Sequence, residues 1–147
     1  MTLKASTGLR NAMLASLGLT EALGNVLILI YSGPVPASAD AAVTGTLLTT
    51  ISDNSTGAPL AFDAPSGGTL PKAAAQVWSG INVASGTATH FRAINSATPD
   101  DGTLSTTQVR LQGTCGTAGA DLNMSSVNLS AGATQTIDAC NITLPTF

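Results

Sequence analysis

The chain has 147 residues and a formal net charge of -3, from five Lys and Arg and eight Asp and Glu, with one His. Half of it is small: 23 Ala, 21 Thr, 15 Gly and 14 Ser. That composition excludes a basic phosphate-binding stripe, and with it direct nucleic-acid binding, and leaves no second imidazole for a metal site or proton relay. The 34 Leu, Ile, Val and Phe residues still suffice for one core in one domain, which separates the chain from a disordered linker.

Residues 6–18 read as a short helix. Thr7 caps it, Leu9, Met13 and Leu17 follow at i, i+4 and i+8, and Gly18 supplies a left-handed stop. The resulting apolar stripe either closes the core of its own domain or lies in a partner's groove, which makes Leu9, Arg10 and Met13 interface candidates. A secretory signal is a poor fit, although Lys4 and Arg10 precede apolar residues and Ala37-Ser38-Ala39 has the look of a cleavage site. Glu21, Gly18 and Gly24 break the apolar stretch, and its longest clean run, Val26 to Tyr31, is six residues, short of a signal core or a membrane span. We expect an N-terminal helical segment over 1–24 and a β-sandwich over 25–147, in a single domain without membrane association.

From residue 26 the pattern changes to short β-prone runs divided by Gly, Pro, Asn and Asp, the spacing of an all-β antiparallel sandwich. The first strand, Val26 to Tyr31, is apolar at both parities and so needs cover on both faces, by sheet on one side and the N-terminal helix on the other. Ser32-Gly33-Pro34-Val35-Pro36 ends it, because proline cannot donate to a ladder. Further strands are predicted near 46–51, 58–62, 74–83, 87–95, 104–112, 120–129 and 133–144.

Two turns of one design, Asn82 to Gly86 and Asn128 to Gly132, each end on a glycine able to adopt positive φ and predict two hairpins. Centred on Ser85, the first puts Val77, Ile81 and Val83 on one face with Phe91, and Trp78 on the other face opposite Arg92 and near His90. Centred on Ala131, the second puts Leu122 opposite Cys140. Apolar parity slips between Met124 and Val127 and again between Ile137 and Ile142, which predicts a β-bulge near Ser125-Ser126 or Asp138-Ala139.

Chemistry is sparse along this chain. His90 has no Gly-x-Ser-x-Gly elbow or second histidine to work with, and on the polar face it is solvated or interfacial. Asp100 and Asp101 fall in Thr98-Pro99-Asp100-Asp101-Gly102, which is turn composition, and no calcium or phosphate loop is present. We therefore expect no catalytic residue, no metal and no cofactor. Cys115 and Cys140 lack a Cys-x-x-Cys arrangement and are either two buried free thiols or one disulfide. Asn-x-Ser/Thr triplets at Asn54, Asn123, Asn128 and Asn141 arise by chance in a chain so rich in Ser and Thr. The best contact candidates are Trp78 and Arg92, a cross-strand cation-aromatic pair that is either an intramolecular surface stack or an interface anchor, with His90 beside it.

Three stretches resemble a family of small bacteriophage virion proteins. They are Leu27 to Pro34 with Ala37 to Ala42, Val77-Trp78-Ser79-Gly80 with Gly86 to Arg92, and Arg110 to Gly113 onward through Ala120 to Ser126; Ile142-Thr143-Leu144-Pro145 closes the set. In that family a bulky aromatic often stands where His90 is found. The resemblance implies a structural, non-enzymatic role: a cement or decoration protein on the capsid exterior, of jelly-roll-like β-sandwich type, assembled in the bacterial cytoplasm, where thiols stay reduced. Its partners would be the major capsid protein and further copies of itself as a dimer or trimer, through residues 1–18 and the face bearing Trp78 and Arg92. A neck, tail or baseplate component and a carbohydrate-binding module with Trp78 as its platform are the competing readings.

Overall fold

The apolar run that dominates the sequence lies in the middle of the fold. The structure, a computed structural model, describes residues 3–15, 18–98 and 100–143. Among these, β1 (Lys4–Ala5), β2 (Val26–Tyr31), β3 (Leu47–Asp53), β5 (Trp78–Ile81), β7 (His90–Asn95), β8 (Arg110–Gly116) and β11 (Thr134–Ile137) form one antiparallel sheet in the order β1-β8-β7-β2-β3-β5-β11. A short β9 (Leu122–Asn123) runs parallel to β8. Two ribbons complete the β structure: β4 (Thr69–Pro71) with β12 (Asn141–Thr143), and β6 (Gly86–Thr87) with β10 (Asn128–Leu129). Helices α1 (Thr7–Leu14) and α2 (Leu19–Leu23) precede β2.

Strand parity sorts the side chains into two layers. Ile28, Ile30, Ile51, Trp78, Phe91 and Ile137 point from the sheet into the main core, where they meet Leu70, Leu129 and Ile142 of the ribbons and Leu9 and Leu23 of the helices. Burying each such side chain stabilises the fold by about 1.5–3 kcal/mol. The opposite, outer face carries a second, smaller cluster of Leu29, Tyr31 and Ile94 with Leu27, Val43 and Leu47. The molecule is thus an all-β antiparallel sandwich with a short helical N-terminus.

β2 is covered on both faces as its sequence requires, but the cover on its outer side is made by loops. The connections 33–46 and 96–109 lie over that half of the sheet and are bonded to each other by Val43 N donating to Gly102 O (2.8 Å) and Ser105 N to Asp40 O (2.9 Å). The helices pack on the inner side.

The N-terminal helix is shorter than its pattern predicts and begins one residue earlier in its capping. Ser6, not Thr7, is the cap: its Oγ accepts from Leu9 N at 3.1 Å. Gly18 is extended at φ -70 and opens α2, while the positive φ expected of it belongs to Gly24 (φ +60). Leu17 lies outside the described residues. The segment also contains β1, so it is part of the sheet as well as helical.

Neither predicted hairpin forms. β5 pairs with β3 and β11, and β7 pairs with β2 and β8, so two strands sit between them. The two glycine turns instead lace to each other: Asn82 N donates to Ala133 O, Gly132 N to Asn82 O, and Ala131 N to Ser85 Oγ. Gly132 does adopt positive φ (+82), whereas Gly86 does not and sits close to Leu48, whose Cδ2 would lie 2.9 Å from a Cβ there. Likewise Leu122 pairs with Cys115, not Cys140. The predicted phase slips fall where the chain changes partner, between β9 and β10 and between β11 and β12, and a register shift within a ladder lies elsewhere, at Ile30/Tyr31 of β2 against β3. The 58–62 stretch makes only isolated bridges.

Candidate docking face and the clamp beside it

Parity on β7 and β8 places an alternating polar row on the outer face. His90, Arg92 and Ile94 stand opposite Thr114, Gln112 and Arg110. Residues 36–41 cross above them and turn their carbonyl oxygens down onto the row. Gln112 Nε2 donates to Pro36 O (2.8 Å), Lys4 Nζ to Ala37 O (2.9 Å), Arg110 Nη1 to Ala39 O (3.3 Å) and Arg92 Nη2 to Ala41 O (2.5 Å). Arg92 Nε also donates to Gln112 Oε1 at 3.0 Å, which couples the two strands. An irregular segment so rich in small residues has few side chains with which to anchor itself, so its backbone carbonyls are held from below.

Both guanidinium groups in this clamp are buried, Arg92 at 1% and Arg110 at 0% exposure. Asp100 faces Arg110 in a fork, at 2.5 Å from Nε and 2.6 Å from Nη2, and Gln108 Oε1 accepts from the same Nη2. Asp40 ties the segment to α1, accepting from Thr7 N (2.8 Å) and Thr7 Oγ1 (2.6 Å). Burial acts against its charge, but these two bonds, with help from Arg10 and Arg110, hold its carboxyl below the usual range. Burial, and then the neighbouring Arg110, make the charged form of Arg92 less favourable, and its Nη1 has no hydrogen-bond partner among the described residues.

His90 is fully buried, stacked on Tyr31 with ring centroids 5.3 Å apart and planes 14° from parallel. Its Nδ1 lies 3.0 Å from Thr89 Oγ1, and its Nε2 is buried without a partner among the described residues. Burial first, and then Arg92, push its pKa down to about 4, so the ring is neutral at pH 7.

Trp78 belongs to the other face of the sheet. It stands opposite Ile137 and Asp53, is 1% exposed, meets Phe62 edge-on at 5.3 Å, and donates from Nε1 to Gln76 Oε1 at 3.1 Å. The cation over its ring is Lys72, with Nζ 5.7 Å from the centroid. The expected Trp78–Arg92 pair is therefore corrected: the two residues lie on opposite faces of the sheet, because β5 and β7 do not pair.

Most of the predicted interface residues are consumed by the protein's own interior. Leu9, Trp78, His90 and Arg92 are buried, and Met13 is half-buried against the core; Arg10 is exposed, with Nη2 donating to Thr7 Oγ1. The N-terminal stripe closes its own domain's core, the first of the two roles open to it. The exposed apolar side chains that the sequence pattern did not single out are Val77, Ile81 and Val83, exposed by 53%, 57% and 69%. Their shared face was legible from odd parity; that it faces away from the core was not. Ile81 and Ser79 pair across to the exposed Thr134 and Thr136 of β11, while Ser79 and its β3 neighbour Ser52 are buried under the 54–57 turn, bonded to Ser55 Oγ and Gly57 N. Loops 33–46 and 96–109 are bonded over the β7–β8 half.

Where the two halves meet there is a cleft of about 560 Å³, floored by Leu27, Leu29, Tyr31 and Ile94 and walled by Val43, Leu47 and the Asp100–Gly102 turn. Cys115 and Cys140 are both free. Burial drives Cys115 up to about 12 and Cys140 to about 11, which leaves them protonated and unsuited to metal binding or nucleophilic work. Among the described residues no group of three or more His, Cys, Asp or Glu could hold a metal ion, and no helix is long and apolar enough to cross a membrane.

These features define the class as an all-β antiparallel sandwich whose outer face is half clamped and half open. Comparison of the chain with models of protein families, with curated proteins and with solved structures finds no match in any of the three.

Proposed function

We propose that the protein is a structural component of a bacteriophage virion, a cement or decoration protein that binds the outside of the major capsid protein lattice. The observation that carries this reading is the open half of the outer face. Val77, Ile81 and Val83 are exposed there, Ile81 beside the exposed Thr134 and Thr136 of β11, a surface suited to close packing against another protein without reliance on charge. The resemblance to small virion proteins supports it in a second way. The three stretches that carry it meet in one structural unit: Ala41 from the first, Arg92 from the second and Arg110 and Gln112 from the third are joined in the clamp. A shell bound by such a protein is stabilised by mass action, since loosening the lattice must also break the added contacts.

The reading relocates the docking surface from Trp78 and Arg92 to the β3–β5–β11 face. A sugar platform loses its key residue, because Trp78 is buried. Quantitative mass spectrometry of purified particles tests the proposal. A copy number on the order of hundreds supports lattice decoration, whereas one ring's worth, about six to twelve, places the protein in the neck, tail or baseplate and overturns it. Ile81→Arg is expected to abolish particle occupancy while leaving the melting temperature within about 2 °C, since the side chain is already in solvent.

A further inference from the structure

The cleft beside the clamp differs from the rest of the surface in its chemistry. Its floor is apolar, and its charged lining residues are Asp100 and Asp101, with no basic residue among them. Asp100 is occupied by Arg110, so the carboxylate left at the rim is the exposed Asp101. Asp101 is held below its usual pKa, chiefly by hydrogen bonds from the amide and hydroxyl of Thr103, and is ionised at neutral pH. Tyr31 lines the cleft as well. Its ring is largely covered, the residue being 8% exposed, while its hydroxyl is not among the buried unpartnered polar atoms. An accessible phenol O–H on the floor of an apolar cleft can donate to or accept from an incoming polar group.

We propose that the cleft receives an extended segment of a partner protein, seating an apolar side chain on Leu29, Tyr31 and Ile94, bonding a polar group to the Tyr31 hydroxyl, and setting a lysine or arginine beside Asp101. The volume of about 560 Å³ suits a few residues of extended chain. Charge complementarity identifies the occupant as a basic segment of another protein and argues against a second copy of this chain. Of the chain's own Lys and Arg, Arg92 and Arg110 are buried in the clamp, Lys72 is held against Trp78 and bonded to Gln76 O, and Lys4 donates to Ala37 O, which leaves the exposed Arg10 as the one a second copy would have to supply. This deepens the docking role proposed above and rests on it only for the identity of the partner.

The test is a methyl and amide NMR titration of the intact protein with two blocked peptides, alternating leucine with lysine and leucine with glutamate. The basic peptide is expected to shift Leu29, Val43, Leu47 and Ile94 saturably and to bind about fivefold more tightly than the acidic one. Asp101→Asn, which keeps an acceptor for Thr103, should remove that preference; Tyr31→Phe, which keeps the ring, should weaken binding about threefold. Equal affinity for both peptides, shifts confined to other surfaces, or a preference that survives Asp101→Asn would overturn the proposal. So would cleft shifts that grow with protein concentration alone, because they would make a second copy the occupant. Particle occupancy of the Asp101→Asn variant separates the two ideas: peptide binding at the cleft with unchanged occupancy leaves the cleft assignment standing and removes the capsid lattice as its partner.

Discussion

At the scale of single residues, His90 is, among the described residues, the group whose shifted protonation bears most on stability near physiological pH. Its folded pKa of about 4 lies below the ordinary value of 6.5, so between those two values the unfolded chain binds the proton and the folded one does not. Stability is therefore fully present above about pH 6.5 and is lost as pH falls toward 4, by up to about 3 kcal/mol. Guanidinium unfolding at pH 7 and pH 4.5 should show that decline, and His90→Phe, which retains a ring against Tyr31, should reduce it; an equal slope in both proteins would refute the assignment. The neighbouring buried charges make a second, sharper contrast. Asp100→Asn leaves Arg110 and Arg92 without their buried counter-charge and is expected to cost about 3 kcal/mol, lowering the melting temperature by about 10 °C. Arg92→Met removes a buried cation with an unpartnered Nη1 but leaves Gln112 Oε1 and Ala41 O without their donor, and is expected to cost about 2 kcal/mol, less than Asp100→Asn because no unpaired charge is left behind.

At the scale of elements, partner choice in the sheet depends on close approaches that side chains would block. A Cβ on Gly80 would overlap the carbonyl oxygen of Thr50, so β5 can lie against β3 only with glycine there. Gly80→Ala should then destabilise the protein by about 2–4 kcal/mol, measured by thermal or denaturant unfolding, since the obstacle is backbone and cannot rotate away. Turn composition around Gly86 and Gly132 was legible in the sequence, but which strands those turns joined was not. A glycine-ended turn specifies a reversal of the chain; it does not specify whether the next strand pairs with the previous one or passes two strands away. The same limit explains the Trp78–Arg92 pairing. Each residue's parity within its own strand was readable, and only the placement of β2 and β3 between β5 and β7 put them on opposite faces. The clamp over 36–41 was hidden for a different reason: carbonyl acceptors have no side-chain signature, although the polar alternation Arg110, Gln112, Thr114 marked one face of β8.

At the scale of the whole molecule, the fold is held without covalent crosslinks among the described residues, with Cys140 buried and Cys115 half-buried against the core. Cys115 and Cys140 should react with a disulfide reagent at pH 8 far more slowly in the native protein than after unfolding, and the melting temperature should not change on adding reductant. Rapid native titration of both thiols would contradict that burial. The all-β class, the apolar β2 covered on both faces, and the helix that precedes it were determined by the sequence alone, because periodicity and turn chemistry act over a few residues. The strand order, the burial of His90, Arg92 and Trp78, and the exposure of Ile81 were decided only by the tertiary structure. They depend on contacts between segments tens of residues apart, and a chain of small residues has too few bulky side chains for its local pattern to tell which face turns inward.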